Sequence, residues 1–247
     1  MNYSVCITTF SKRFNFLETL VSQVRSFSNC DILISINGDY KQEFNNEYRK
    51  QVLNLCLKYD NIYPLFFTEQ RGLAKMWNEL VIHSKTDWCL MLNDDVELTQ
   101  DEIFSQTIPS LGDKPDLRRI NGSFSHFLIH KVCLDELGYF DERLLGFGEE
   151  DGDIFYRYIE AYNSWIQELY VHGFTNIVSD IRDENITAGV GKYTKFNRDF
   201  TFLNENPKYV SVSEGISGLF GVPMSKNLKD EQQYPYEKFF RENKYKL

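Results

Sequence analysis

The first 95 residues switch repeatedly between two hydrophobic patterns. Tyr3–Thr9 is a short run rich in apolar and β-branched residues. The segment Phe14–Phe27 then places Phe16, Leu17, Leu20, Val21, Val24 and Phe27 on one helical face. Residues 32–36 form a second apolar run that ends in Asn37-Gly38-Asp39, and residues 47–59 return to helical spacing through Val52, Leu53, Leu55, Cys56 and Tyr59. A third strand is predicted over 62–67. Arg71-Gly72 opens a helix to about His83, and residues 88–92 are continuously apolar, as in a strand covered on both faces. The order βαβαβαβ predicts an α/β fold with a mostly parallel, doubly wound sheet, because parallel neighbours need crossover connections and helices supply them.

The second half is less periodic. A strand is predicted around 124–130, a short helix at 131–137, a Gly- and acid-rich stretch at 146–153, a helix from about 154 to 162 and a strand at 169–171. From about Thr187 the pattern weakens into Gly189-Val-Gly191 and a Tyr/Lys-rich tail, with no internal repeat and no long linker. The expected organisation is one domain over 1–247, with a first half to about 95, a second from about 96 to 186, and an extension over about 187–247.

Composition narrows the class. The chain has 247 residues, 42% hydrophobic, 15% aromatic and 26% charged, with 14 Gly and 6 Pro, which excludes collagen-like, low-complexity and largely disordered chains. With 27 Lys and Arg against 36 Asp and Glu, the net charge of −9 repels phosphate backbones, so nucleic acid is not an expected partner. Cys6, Cys30, Cys56, Cys89 and Cys133 are widely spaced, without a C-x-x-C pair and mostly in apolar runs, which predicts reduced core thiols and a cytoplasmic setting. No window approaches the ~18 apolar residues of a membrane span, and the N-terminus has no secretory pattern. The triplets at Asn121 and Asn185 therefore carry no weight as glycosylation sites.

Ligands of a parallel sheet sit beyond the carboxyl ends of its strands. Those ends carry Thr8 and Thr9, Asn37 to Asp39, Glu69 to Gly72, and Asn93 to Asp95. In the last of them a hydrophobic strand delivers adjacent acids, hard oxygen ligands suited to Mg²⁺ or Mn²⁺ and through it a diphosphate. An Asp-rich turn with purely local hydrogen bonds has the same spacing, and spacing alone leaves both open. A second cluster, Glu149, Glu150, Asp151 and Asp153, crowds four acids into five positions. That crowding points to a cation or a raised pKa, while a helix dipole would account for two of them. Of the four histidines, His83 closes a helix, and His126 and His130 fall in a predicted strand, where both are expected to serve structure. Trp77, Trp88 and Trp165 are expected mostly in the core, with sugar stacking as the alternative.

Val5-Cys-Ile-Thr-Thr-Phe10, Arg71-Gly-Leu-Ala-Lys-Met-Trp-Asn78, Leu92-Asn-Asp-Asp-Val96 and Leu137-Gly-Tyr-Phe-Asp-Glu142 leading into Gly148-Glu-Glu-Asp-Gly-Asp153 occur in this order over about residues 3–175. Together they resemble the metal-dependent GT-A glycosyltransferases of the family-two-like group. The resemblance implies a GT-A fold, a Rossmann-like sheet flanked by helices with an acceptor-side subregion. The half to about residue 95 would bind a nucleotide sugar, and the half over about 96–186 would hold acceptor and catalyst. Asn93-Asp94-Asp95 stands at the D-x-D position, with Asn in place of the first acid. Asp95 is then the metal ligand, and Asn93 and Asp94 contact the donor. Thr9 lies near the nucleotide, Asp39 accepts from the base, Arg71 faces the diphosphate or base, and His172 is a candidate second metal ligand.

Glu150-Asp151-x-Asp153 resembles the family's E-D-x-D motif, which makes Asp151 the general base with Glu150 beside it. The implied activity is inverting, divalent-cation-assisted transfer from a nucleotide-diphosphate sugar, a UDP-sugar foremost. The acceptor would be a hydroxyl of a saccharide, glycolipid or glycoprotein, as in polysaccharide biosynthesis. The tail over 234–247 interleaves aromatic and basic residues, which fits either packing on the domain or a second subunit, or peripheral contact with a membrane surface. The alternatives are a non-catalytic nucleotide- or carbohydrate-binding protein, which Asn93 favours, and a sugar nucleotidyltransferase, which the glycine-free segment 8–13 disfavours.

Overall fold

The computed structural model describes residues 2–11, 13–39, 44–112, 114–142, 144, 146–177, 210–211 and 219–220. The Gly189–Gly191 segment, the sequon at Asn185 and the tail over 234–247 lie outside the described residues. Of the expected extension, the described part is an antiparallel pair of two-residue strands, Val210–Ser211 with Leu219–Phe220.

The chain runs β1 (Tyr3–Thr9), α1 (Phe14–Phe27), β2 (Asp31–Ile36), α2 (Asn46–Cys56), β3 (Ile62–Phe66), α3 (Leu73–His83), β4 (Trp88–Asn93) and β5 (Val96–Leu98). It continues through β6 (Leu117–Ile120), β7 (Ser123–His130), α4 (Lys131–Leu137), α5 (Glu150–Tyr162), β8 (Gln167–Leu169) and β9 (Phe174–Asn176). Seven strands form one sheet in the order β3-β2-β1-β4-β7-β6-β8, while β5 and β9 pair apart from it as an antiparallel ribbon. Strands β1 to β4 are mutually parallel, β7 runs antiparallel between β4 and β6, and β8 is parallel to β6. The expected α/β, mostly parallel sheet flanked by helices is the fold observed.

Both faces of the sheet are buried, which explains the unbroken apolar runs in β1 and β4. Val5 and Ile7 point to the side packed by Leu17, Leu20, Val21 and Val24 of α1 and by Val52 and Leu55 of α2. Cys6, between them, points to the side packed by Trp77 and Leu80 of α3, Leu134 of α4 and Ile154 and Tyr158 of α5. Trp77 and Trp88 are buried, whereas Trp165 is exposed. His130 caps α4 by accepting from the Val132 N–H, the structural role expected of it. Among the described residues no helix is long and apolar enough to cross a membrane.

Several boundaries differ from the sequence pattern for local reasons. Helix α5 starts at Glu150 rather than near 154, since acids are favoured in a first helical turn. Helix α3 starts at Leu73, because Gly72 is extended and serves as its N-cap. The last sheet strand is 167–169 rather than 169–171. Strands β5, β6 and β9 have three or four residues each, too few for a period to show.

One buried amide ties the two halves together. Asn78 of α3 is fully buried, donates to the Phe140 carbonyl (2.9 Å) and to Glu142 Oε1 (3.0 Å), and accepts from the Phe140 N–H (3.0 Å). Lys75, one turn earlier, approaches the same Glu142 carboxylate at 3.5 Å. Asn78→Ala strands three buried partners and is expected to cost about 2–4 kcal/mol. Urea unfolding checks this: a lower midpoint with an unchanged slope is expected, and a loss under about 1 kcal/mol would show that the 140–142 segment is held by other contacts.

Candidate active site

The carboxyl edge of the parallel strands is built by three close approaches. After β2, Asn37 donates to the Arg71 carbonyl (2.9 Å) and accepts from the Arg71 N–H (2.7 Å), so the loops after β2 and β3 are locked together. Gly38 lies against the Glu69 backbone so closely that a Cβ could not be placed there. At Gly72 a Cβ would meet the Leu144 carbonyl oxygen at 2.5 Å, and the Leu73 N–H donates to the Gly146 carbonyl (2.6 Å). These contacts pin the segment that precedes α5 onto the same edge as the ends of β2 and β3.

The first acidic cluster sits at the end of β4. Asp94 is almost wholly buried, accepting from Arg13 Nη1 (2.6 Å) and from the Thr9 hydroxyl (2.7 Å), which also bonds Tyr48 Oη at 2.7 Å. Burial pushes the Asp94 carboxyl up to about 7, against the opposing pull of Arg13 and Thr9. Arg13 Nη2 reaches Asp95 Oδ2 at 2.9 Å, which leaves Asp95 Oδ1 buried and without a hydrogen-bond partner. Asn93 accepts from the Thr8 hydroxyl (3.1 Å) through Oδ1, which leaves its amide NH₂ to donate. Thr9 and Asp94 therefore face inward and hold the turn, while Asn93 and Asp95 occupy the rim.

The second cluster opens α5. Glu149 takes a left-handed conformation (φ 75°) at the N-cap, which turns the chain into the helix. Glu150 is buried, and desolvation, followed by the Asp151 charge, raises its carboxyl to about 8. Asp151 is exposed to solvent. Desolvation raises its pKa above the ordinary value, opposed by the Gly152 N–H on Oδ1 (2.9 Å) and by the charge of Arg119. Asp153 is a structural acid: it is buried and paired with Arg157 at 2.7 Å, and Arg157 also donates to the Leu137 carbonyl. Of four crowded acids, one is thus neutralised by an ion pair and one by burial.

The two clusters share an edge. Strand β7 runs antiparallel to β4 with Leu92 opposite His126, so the start of β7 and the end of β6 lie beside Asn93 to Asp95. Arg119, near the end of β6, lies over the rings of Phe124 (6.0 Å) and Phe155 of α5 (5.2 Å), which ties the α5 N-terminus to that edge. Of the other residues singled out in the sequence, Asp39 accepts from the Ser11 hydroxyl (2.6 Å) and Arg71 sits at its locked loop, both at the carboxyl edge. His172 is not brought there. It is 81% exposed and paired with Glu102 at 2.9 Å, and Leu98 opposite Phe174 with the Thr99 N–H on the Gly173 carbonyl puts it at the far end of the β5–β9 ribbon from Asp95.

Two residues were missed. Arg13 lies in a loop with no period to mark it. His126, expected to serve structure, is buried with Nε2 lacking any hydrogen-bond partner. Burial lowers its pKa to about 4, opposed by the charge of Asp95. Among the described residues no three His, Cys, Asp or Glu side chains converge as a closed metal site.

Residues 4–111 match the family model described as Glycosyl transferase family 2. No curated protein matches the chain by sequence. Among solved structures it is similar to glucosyl-3-phosphoglycerate synthase from Mycobacterium tuberculosis in complex with Mn²⁺, UDP and phosphoglyceric acid. That likeness has a TM-score of 0.59 at 8% identity over 90% of this chain and 87% of that one. It is also similar to the mannosyltransferase PcManGT from Pyrobaculum calidifontis in complex with GDP-Man and Mn²⁺ (0.56, 10% identity, 69% and 54% covered). A third likeness is to TarS from S. aureus (0.52, 13% identity, 70% and 36% covered). The chain thus spans 54% of the length of the mannosyltransferase and 36% of that of TarS. At such identities the likeness concerns the fold, which is of the GT-A type.

The Glu150 proton carries a signature. Between about 4.5 and 8 the folded chain holds a proton on Glu150 that the unfolded chain has released, so stability from this group is full at low pH and is lost as pH rises through about 8. The loss can reach about 1 kcal/mol per pH unit. Glu150→Gln has no such proton and is expected to show a flatter dependence. Unfolding free energies from pH 5 to 8 check this: the variant should gain on the parent as pH rises, and parallel curves would mean that Glu150 is ionised throughout.

Proposed function

From the premise that this chain is a glycosyltransferase family 2-like protein of GT-A fold, we propose that it transfers a sugar, with inversion, from a nucleotide-diphosphate donor to a hydroxyl of a saccharide, glycolipid or glycoprotein. The supporting observation is that one sheet edge carries both Asp95, with a buried, unpartnered carboxylate oxygen, and Asp151, a carboxylate open to solvent. The solved relatives that hold Mn²⁺ with UDP or GDP-Man support a divalent cation and a nucleotide-sugar donor, with a UDP-sugar as the first to try. The five free thiols suit a cytoplasmic setting.

The residues present fit a cation. Asp95 Oδ1 is a hard, buried oxygen with no protein donor, the group a divalent ion satisfies. When bound, the cation offsets negative charge developing on the leaving diphosphate. The Asn93 amide NH₂ is free to donate to the donor's ribose, and Asp39 and Arg71 flank the nucleotide from the adjoining strand ends. Asp151 receives the acceptor's proton as its oxygen attacks the anomeric carbon. A carboxylate with a raised pKa is a stronger base for that task, and the proton kept on Glu150 removes a competing charge next to it. Attack from the Asp151 side with departure toward Asp95 gives inversion.

A second reading, a nucleotide-binding protein without turnover, draws on Asn93 in place of an acid. Nucleoside diphosphate release from UDP-, GDP- and dTDP-sugars with Mn²⁺ or Mg²⁺ separates the two: release supports transfer, and tight binding without release supports the second reading.

Asp151→Asn is expected to bind donor normally and lose ~10²-fold or more in turnover, the scale of general-base catalysis. Unchanged turnover in the same release assay would remove Asp151 from the mechanism. Asp95→Ala is expected to weaken cation-dependent donor binding, measured by titration calorimetry with and without Mn²⁺. Equal affinities in parent and variant under both conditions would put the cation elsewhere.

A further inference from the structure

The geometry points to His126 Nε2 as the second protein ligand of the divalent cation, paired with Asp95 Oδ1. This rests on the cation-assisted reading above and names the residue that reading left open.

The register brings the two residues to adjoining strand ends. His126 is opposite Leu92, three residues before Asp95. On the other side of Asp95, Val96 is opposite Asn176, and the Asp95 carbonyl accepts from the Ile177 N–H (2.8 Å). Strands β7 and β9 then meet through Ser125 Oγ, which donates to Asn176 Oδ1 at 3.1 Å. His126 and Asp95 thus flank one small junction where β4, β7 and the β5–β9 ribbon converge. The imidazole is held there by the Phe174 ring, 5.1 Å away.

With the Asn176 amide oriented as it stands, the hydrogen bonds accommodate the ring proton on Nδ1. The Ser125 hydroxyl has one hydrogen, and Asn176 takes it, so Ser125 Oγ accepts from His126 Nδ1–H at 2.9 Å. The Ser123 hydroxyl, 2.6 Å from Ser125 Oγ, accepts the Ser125 N–H and sends its own proton to Ser125. Nε2 is left as a bare lone pair, buried in a residue only 4% exposed and without a donor. A ring whose Nδ1–H is anchored while Nε2 stands unpartnered is in the tautomer that ligates metal. Two such orphans at one junction, a carboxylate oxygen and an imidazole nitrogen, are a donor pair for Mn²⁺, with diphosphate oxygens and water filling the remaining positions. An open site of this kind is compatible with the lack of a closed three-ligand cluster among the described residues.

Pulsed electron spin resonance on the full chain loaded with Mn²⁺ and inorganic pyrophosphate tests this, because pyrophosphate supplies diphosphate oxygens without nitrogen. The parent protein is expected to show imidazole nitrogen coupling to Mn²⁺, and replacing histidine nitrogen by ¹⁵N should change it accordingly. Coupling should vanish in His126→Gln, with Mn²⁺ affinity falling ~10-fold or more, and persist in His172→Gln, His83→Gln and His130→Gln. If His126→Gln does not fold, the ¹⁵N-labelled parent with His172→Gln, His83→Gln and His130→Gln still decides, because these cover the other three of the four histidines. Coupling that is lost in His172→Gln, His83→Gln or His130→Gln, or kept in a folded His126→Gln, overturns the assignment. Mn²⁺ bound without nitrogen coupling also overturns it and leaves the cation-assisted reading standing. Mn²⁺ that does not bind, together with sugar transfer in excess chelator, overturns both this assignment and the cation while leaving transfer itself intact.

Discussion

One guanidinium fixes the geometry on which the site depends. Arg13, at the entry of α1, places Nη1 on Asp94 at 2.6 Å and Nη2 on Asp95 at 2.9 Å. Asp94 is 1% exposed, and a carboxylate so buried costs several kcal/mol unless it is paired and hydrogen-bonded. Arg13 and Thr9 supply the pairing, and the rings of Phe10 and Phe16 flank the guanidinium at 5.1 and 5.6 Å. The loop after β1 and the turn after β4 are consequently one unit. Because Arg13 takes one oxygen of Asp95, the same contact that stabilises the turn leaves the other oxygen buried and unsatisfied.

Asp151 is positioned by different means. The Asn37 side-chain amide on the Arg71 backbone, the close approaches of Gly38 to Glu69 and of Gly72 to Leu144, and the Leu73 N–H on the Gly146 carbonyl lash the α5 entry to the strand ends, and Asn78 holds residues 140–142 from beneath. Asp153 is taken up by Arg157 and Glu150 by burial, while Asp151 is exposed to solvent. A parallel sheet gives the shared edge without special provision, since every parallel strand points its carboxyl end the same way.

The long periodic elements were legible in the sequence because burial on two faces writes a continuous apolar run and burial on one face writes a helical stripe. Strands β1 and β4 and helices α1 and α4 fall where those patterns put them. Strands β5, β6 and β9 are too short to carry a pattern, yet the β5–β9 register is what carries His172 away from Asp95. Both acidic clusters were visible from composition at strand and helix ends, and the family resemblance gave them roles. Arg13 and His126 were not visible. The Arg13 partner Asp94 is 81 residues away, and the unpartnered Nε2 of His126 shows only when hydrogen bonds are counted.

The central claim is that Asp95 and Asp151 serve one cleft from opposite sides. Crystals of the chain with Mn²⁺ and a nonhydrolysable nucleotide sugar, measured at the manganese absorption edge, test it most directly. The expected anomalous peak lies at Asp95 Oδ1, in contact with the diphosphate, with the sugar between it and Asp151. A manganese peak or a nucleotide at any other edge of the sheet, or a sugar out of reach of Asp151, would contradict it.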